Sequence, residues 1–121
     1  MKTLAAIIIG LLSIQGALAK CERADIEGDW LLSAPNSDPR CHLSVTASSS
    51  RVVCISSIAG TETMTGNVAV TENNSHCVVA GSFLRGDYEN FTFLVTKLDQ
   101  TAAEGYALYG GASFPVSFAR P

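Results

Sequence analysis

The chain has 121 residues, with eight Lys or Arg against eleven Asp or Glu and a formal net charge of −3. This length allows one domain with a modest core and leaves no room for two. Because the cations are few, scattered and never in a run, the composition argues against nucleic acid and anionic membrane surfaces as partners.

The first nineteen residues have the features of an export signal. Lys2 supplies a positive charge, an apolar run follows from Leu4 to Leu12, and the residues 17–19 form a small-x-small cleavage site. The run is shorter than a membrane-spanning helix requires. We therefore predict a signal peptide over 1–19 and a secreted or periplasmic, monomeric domain over 20–121. That domain has a net charge of −4 and no further segment able to span a membrane.

From Gly28 onward, short alternations of apolar and polar residues are separated by turn residues. The clearest is Tyr88–Asp99, in which Phe91, Phe93 and Val95 share one face. Pro115 restricts the last strand to an edge or a bulge. The predicted strands are the segment around Trp30, Cys41–Thr46, Arg51–Ile58, Met64–Thr71, Cys77–Phe83, Tyr88–Asp99, Gly105–Tyr109 and Phe114–Phe118. The turns between them are Pro35–Pro39, Ser48–Ser50, Gly60–Thr61, Asn73–Ser75, Arg85–Asp87, Asp99–Ala103 and Gly110–Gly111.

Eight strands at spacings near ten residues predict an all-β fold with sequential antiparallel pairing. Closure of such an up-and-down meander into a barrel removes its exposed edges, so an eight-stranded barrel is the favoured architecture. A two-sheet sandwich is the alternative that the pattern leaves open. The phenylalanines and Met64 favour a filled interior, although Tyr88, Tyr106 and Tyr109 would also suit the lining of a ligand cavity.

All four cysteines lie downstream of the export signal, and an even number in an exported chain predicts disulfides. In a barrel, Cys21 and Cys77 both precede or open odd strands and so lie at one rim. Cys41 opens strand two at the opposite rim, towards which the strand that contains Cys54 runs. We favour the pairs Cys21–Cys77 and Cys41–Cys54, with the other two pairings still open.

The sequence gives little support for a catalytic or metal-binding site. His42 and His76 each adjoin a cysteine, but neighbours in a strand point to opposite faces, which is poor geometry for a shared metal. No glycine-flanked nucleophilic serine, zinc-protease motif or phosphate-binding loop is present. We therefore predict a protein that is not an enzyme and has no metal site and no cofactor.

Acidic residues and glycosylation motifs offer two further interpretations. In an extended segment, Asp25, Glu27 and Asp29 would share one face. That face would be either a patch for a cation or basic partner or a solvated edge beside a buried Trp30.

Asn73 and Asn90 each begin an Asn-x-Ser/Thr acceptor pattern, which is meaningful only in a glycosylating host.

Gly28-Asp29-Trp30-Leu31-Leu32-Ser33, followed by Arg40-Cys41-His42-Leu43-Ser44-Val45, resembles the opening of the Inh-type bacterial inhibitors of secreted zinc metalloproteases. The Gly-x-Trp opening is also similar to that of lipocalins and avidins, in which the tryptophan closes one barrel end. The resemblance covers about 20 residues and implies a small calycin-like barrel. This chain differs from the Inh-type inhibitors in two respects. It has four cysteines, whereas a single disulfide is usual in that family. Its N-terminal stretch is short and tethered at Cys21, whereas the inhibitors insert a free N-terminal tail into the protease.

These observations lead to three functional hypotheses, all of them binding roles. The first is an inhibitor of an exported protease that binds through its N-terminal segment and the adjacent rim loops. The second is a lipocalin-like or avidin-like carrier of a small hydrophobic molecule, and the third is a secreted effector or surface-interaction protein. The residues predicted to bind the partner in the first hypothesis are Lys20, Glu22, Arg23, Ala24 and Asp25.

Overall fold

The computed structural model describes residues 21–35, 39–57, 60–85 and 88–121, except for the side chains of 88–90. The predicted signal peptide and Lys20 lie outside these residues. The described part of the chain forms eight strands and one helical turn. The helical turn α1 spans Arg23–Ile26, and the strands are β1 (Gly28–Ser33), β2 (Arg40–Val45), β3 (Ser50–Ser56), β4 (Gly60–Asn73), β5 (His76–Arg85), β6 (Tyr88–Lys97), β7 (Ala102–Tyr109) and β8 (Ala112–Ala119).

The strands pair antiparallel in sequence order, and β8 returns to β1 to close a barrel. The closing contact is short, because Leu31–Ser33 of β1 pairs only with Ser117–Ala119 of β8. The predicted eight-stranded up-and-down barrel is confirmed, and the sandwich alternative is not what this chain forms. Closure thereby pairs part of each terminal strand, which an open meander would leave unpaired.

An aromatic cluster fills the middle of the barrel. The ring of Phe93 stacks on that of Phe83 at 6.1 Å between centroids and contacts Phe118 at 4.7 Å. Phe91 contacts Tyr109 at 5.7 Å. Gly81 makes room for this cluster, because a Cβ at that position would overlap the Phe93 ring. The side chains that alternate inward along the strands therefore meet as one packed core.

Two strands, β4 and β7, begin three or more residues earlier than the sequence pattern indicated. β4 starts at Gly60, where a turn was predicted. Gly60 pairs with Ser56 of β3, and this pairing extends the β3–β4 hairpin towards its tip. β7 starts at Ala102, because Ala102 and Ala103 pair with the end of β8. The predicted boundaries were wrong here since glycine and small residues weaken the strand pattern while cross-strand pairing still extends it.

The turn residues behave as expected. Asn74 and Ser75 have φ values of 51° and 69°, the left-handed conformation that a two-residue hairpin turn requires. In the closed barrel β8 pairs with both β7 and β1, so it is not the edge strand that Pro115 was expected to indicate. Pro115 is tolerated because it pairs with Tyr106 on one side only, since the β1–β8 ladder stops at Ser117.

Both predicted disulfides are present. Cys41 and Cys54 are directly opposite each other in the β2–β3 ladder, with their Cα atoms 4.1 Å apart, and both side chains point into the barrel. Cys21 bonds to Cys77 at the start of β5, across 56 residues of sequence. Two disulfides are consistent with an extracytoplasmic location.

Candidate functional site

The segment Cys21–Glu27 lies across one end of the barrel, which we call the closed end. The β2–β3 turn, the β4–β5 turn and the β6–β7 connection belong to the same end, because odd strands begin there and even strands finish there. The far end carries the other four connections. Cys21 is bonded to Cys77 and Ile26 is buried in the core, so the segment is held at both of its ends.

Arg23 fixes the middle of this segment. Its guanidinium donates to the carbonyl oxygen of Thr46 through Nε (3.2 Å) and Nη2 (3.0 Å), and to that of Val68 through Nη1 (2.9 Å). The planar guanidinium presents several donors in a fixed fork, which suits it to join carbonyl groups from separate elements. Arg23 thereby connects α1 to the β2–β3 turn and to β4.

Trp30 and Arg120 complete the closure. The indole Nε1 of Trp30 donates to the carbonyl of Ile26 at 2.8 Å, so the buried ring also meets its polar requirement. Arg120 lies over that ring and donates to the carbonyl oxygens of Asp25 and Glu27, both at 2.8 Å. The segment and the chain end after β8 are therefore bound to each other. Arg120 was not singled out from the sequence, because nothing local distinguishes it from other surface arginines.

The predicted partner-binding residues separate into two groups. Glu22 and Ala24 are exposed, whereas Arg23 and Asp25 are half-buried and have internal partners. The Asp25 carboxylate accepts a hydrogen bond from the Glu22 backbone nitrogen at 3.0 Å, and this contact stabilises the helical turn. Lys20 lies outside the described residues. The structure thus brings four of the five residues together at the closed end and leaves two of those side chains available to a partner.

The acidic residues do not form the single extended face that the patch interpretation requires, because Asp25 lies in α1 while Asp29 lies in β1. The other interpretation, a solvated edge beside a buried Trp30, agrees with the exposed position of Asp29. Asp29 points outward on β1, next to the buried Trp30.

Asp29, His42 and Ser44 form a polar group on the outer wall. The Ser44 hydroxyl donates to Asp29 Oδ1 at 3.0 Å, and His42 Nε2 lies 3.3 Å from the same oxygen. The hydrogen bond from Ser44 and then that from His42 hold the pKa of Asp29 below its ordinary value. Because Ser44 donates to the carboxylate, the group lacks the nucleophile-to-base hydrogen bond of a hydrolytic triad.

The two histidines point away from their neighbouring cysteines, as predicted. His42 is exposed and Cys41 buried, and the same holds for His76 and Cys77. Among the described residues, no three His, Cys, Asp or Glu side chains are grouped as a metal site would require.

The far end contains a buried carboxylate, Glu62, that pairs with the exposed Arg85 and was not predicted from the sequence. Glu62 is only 8% exposed and accepts a hydrogen bond from Arg85 at 3.0 Å. The hydroxyl of Tyr109 is buried near this pair without a hydrogen bond of good geometry to any described residue. Burial, and then the negative charge of Glu62, raise the pKa of Tyr109. Glu62 shares the inward face with Met64, so extending the β4 alternation by two residues would have identified it.

Of the cavities lined by described residues, the larger two lie on the outer wall of the barrel and the smallest lies in its core. The cavity in the core beneath Trp30 measures only about 20 Å³. A groove of about 780 Å³ crosses the outer wall of β7 and β8, and contains Tyr106. Another, of about 560 Å³, lies on the outer wall of β1–β3. Of the three tyrosines considered for a ligand cavity, Tyr109 is core and Tyr106 points outward, while the Tyr88 side chain is outside the description.

The first glycosylation pattern lies at an exposed hairpin tip. Asn73 ends β4 and Ser75 occupies the turn, and both are exposed at the closed end. In the second pattern, Phe91 is buried in the core, and the side chain of Asn90 is outside the description.

Comparison with protein-family models, curated proteins and solved structures finds no match to this chain. In the ranges that the structure describes, no helix has the length and apolar character needed to cross a membrane.

Proposed function

We propose that this chain is an exported binding protein that inhibits an exported protease through its closed end. The observation that carries the proposal is the immobilisation of Cys21–Glu27. A disulfide holds its start, Arg23 holds its middle, and Arg120 binds the carbonyl groups of Asp25 and Glu27. A binding segment that is already ordered loses little conformational entropy when a partner binds.

The filled interior supports action at the outer surface. A carrier of hydrophobic molecules needs apolar space within the barrel, and here Phe83, Phe91 and Phe93 occupy it. The core cavity of about 20 Å³ is far smaller than the 300–1,000 Å³ typical of small-molecule sites. The surface-binding hypothesis is therefore preferred to the carrier hypothesis.

The contact with a protease would involve a fixed turn rather than a free tail. In the predicted mature chain only Lys20 precedes the disulfide-bonded Cys21. Glu22 and Ala24 project from the segment, while Arg23 and Asp25 position it from below. Export through the predicted signal peptide would place this protein in the compartment of its target and allow both disulfides to form.

The proposal is tested with the oxidised 20–121 protein and a panel of secreted metalloproteases and serine proteases. We expect residual activity of one target to fall linearly with added protein and to reach its minimum near one equivalent. The reduced and alkylated protein is the control and is expected not to inhibit. A panel in which every enzyme keeps its full activity would refute protease inhibition and leave surface binding of another partner.

A further inference from the structure

A second surface, separate from the closed end, has the composition of a peptide-binding site. It lies on the outer wall of β1, β2 and β3, where a groove of about 560 Å³ is lined by Leu31, Arg40, His42, Val53 and Ile55. We call it the β1–β3 groove. All three strands are described in full, and their inward side chains belong to the core.

The strand register places Arg40 and His42 next to aliphatic side chains. His42 lies directly opposite Leu31 on one side and Val53 on the other. Arg40 lies directly opposite Ile55. Residues opposite each other on one face of an antiparallel pair have Cβ atoms about 4.5–5.5 Å apart, so the imidazole of His42 and the guanidinium of Arg40 each adjoin an apolar neighbour.

The aliphatic side chains of the groove are unusually exposed for their type. Leu31 is 45% exposed and Ile55 is 50% exposed, although each belongs to a strand whose inward residues pack in the core. A set of exposed apolar side chains that line one concave surface is typical of an interaction site. Exposed apolar side chains also occur on β6 and β7, where Leu94 lies opposite Tyr106, but the β1–β3 groove combines them with the guanidinium of Arg40.

The charge of this wall is opposite to that of the protein. The outward side chains of β1–β3 include Arg40 and Arg51 together with His42, and Asp29 is their one carboxylate. Asp29 already accepts a hydrogen bond from Ser44 and pairs with His42. The guanidinium of Arg40 therefore forms an exposed positive position on a chain whose net charge is −3.

We propose that the β1–β3 groove binds an extended protein segment in which an aliphatic side chain adjoins a carboxylate. The aliphatic group would pack on Leu31, Val53 and Ile55, and the carboxylate would accept two parallel hydrogen bonds from Arg40, the geometry that a guanidinium favours. The carboxylate is that of an Asp or Glu side chain within the extended segment, next to the aliphatic residue.

The test is an NMR titration of the ¹⁵N-labelled, oxidised protein with two matched peptides. They are acetyl-Ala-Leu-Ile-Glu-Ala-amide and the same peptide with Lys in place of Glu. We expect saturable shifts confined to residues 29–33, 40–44 and 51–55, and at least about fivefold weaker binding of the Lys peptide.

Two pairs of variants distinguish this site from general surface binding. Arg40→Glu is expected to remove the preference for the acidic peptide, whereas Arg51→Glu, with the same change of net charge, is expected to retain it. Ile55→Ser is expected to weaken both peptides, and Leu84→Ser on the opposite wall to weaken neither. Shifts distributed over the whole barrel, equal binding of the Glu and Lys peptides, or no saturable shift would overturn the proposal.

Discussion

The guanidinium carbon of Arg120 lies 4.2 Å from the centroid of the Trp30 ring, so the chain end after β8 covers the buried tryptophan of β1. The same guanidinium donates to the carbonyl oxygens of Asp25, Glu27 and Gln100, each at 2.8 Å. One side chain thus joins the N-terminal segment, the β6–β7 connection and the first strand. The closed end depends on this convergence more than on any single element of secondary structure.

Replacement of Arg120 should therefore destabilise the protein well beyond an ordinary surface change. Arg120→Ala removes three charge-assisted hydrogen bonds and a cation–π contact, and we expect a loss of about 2–4 kcal/mol in the free energy of unfolding. Arg120→Lys keeps the positive charge but loses the planar set of donors, so its free energy of unfolding should lie between those of the parent and Arg120→Ala. Urea denaturation measures this loss, and an Ala variant within about 0.5 kcal/mol of the parent would contradict it.

The barrel could be predicted from the sequence because its signals are local. The alternation of Phe91, Phe93 and Val95, and the turn at Asn73–Ser75, each report the conformation of their own segment. Strand direction favoured the observed disulfide pairing but left the other two pairings open. The closed end could not be predicted, since Arg23 and Arg120 bind backbone carbonyl groups that are 45 and 95 residues away in sequence. Such contacts arise only after the barrel has closed.

The one-turn helix and the buried Glu62 show the same limit. Four residues, Arg23–Ile26, are too few for a periodic helical signal, so an extended segment was expected there. The inward position of Glu62 was not predicted because Gly60 and Thr61 are typical turn residues. Cross-strand pairing with β3 nevertheless makes both of them part of β4. In both places tertiary contacts override the weak local preference.

The two disulfides should differ in their contribution to stability. Cys21–Cys77 spans 56 residues and Cys41–Cys54 spans 13. The loop-entropy relation gives about 4 kcal/mol for the first and about 3 kcal/mol for the second. We expect Cys21→Ala with Cys77→Ala to lower the urea midpoint more than Cys41→Ala with Cys54→Ala, and to expose Arg23 to trypsin. The reverse order of midpoints, or trypsin resistance at Arg23, would show that the closed end is held without its disulfide.

The filled interior is tested by adding one methyl group to it. A Cβ at Gly81 would overlap the Phe93 ring, which is stacked on Phe83 and cannot easily move. Gly81→Ala should destabilise the protein by about 1–3 kcal/mol through overpacking. Ala80→Val adds bulk at the next position on the outer wall and should change the unfolding free energy little. If both variants unfold as the parent does, the barrel interior has free space and the carrier hypothesis regains support.

Two exposed carboxylates should titrate below their ordinary range. Ser44 and His42 lower the pKa of Asp29, and hydrogen bonds from the Thr101 nitrogen (2.7 Å) and hydroxyl (2.9 Å) lower that of Asp99. A lowered folded-state pKa contributes stability that is present above the unfolded pKa and is lost as pH falls through the folded pKa. Carboxyl ¹³C shifts measure both midpoints.

Ser44→Ala gives that titration an internal control. The variant removes the largest cause of the Asp29 shift, so the Asp29 midpoint should rise while that of Asp99 remains where it was. An unchanged Asp29 midpoint would mean that Ser44 does not bond to it in solution. A simultaneous rise at Asp99 would indicate a change in the fold rather than the loss of one hydrogen bond.

The central claim, that the closed end is the binding end, is tested most directly by exchanging charge on its exposed face. Glu22→Lys changes a side chain that projects from the segment, while Glu104→Lys makes the same change on the outer wall of β7. Stoichiometric titration of an inhibited protease should show at least about tenfold weaker inhibition by Glu22→Lys, equivalent to about 1.4 kcal/mol, and unchanged inhibition by Glu104→Lys. Equal inhibition by the parent and the Glu22→Lys protein, with loss in the Glu104→Lys protein, would place the binding surface on the barrel wall and contradict the account.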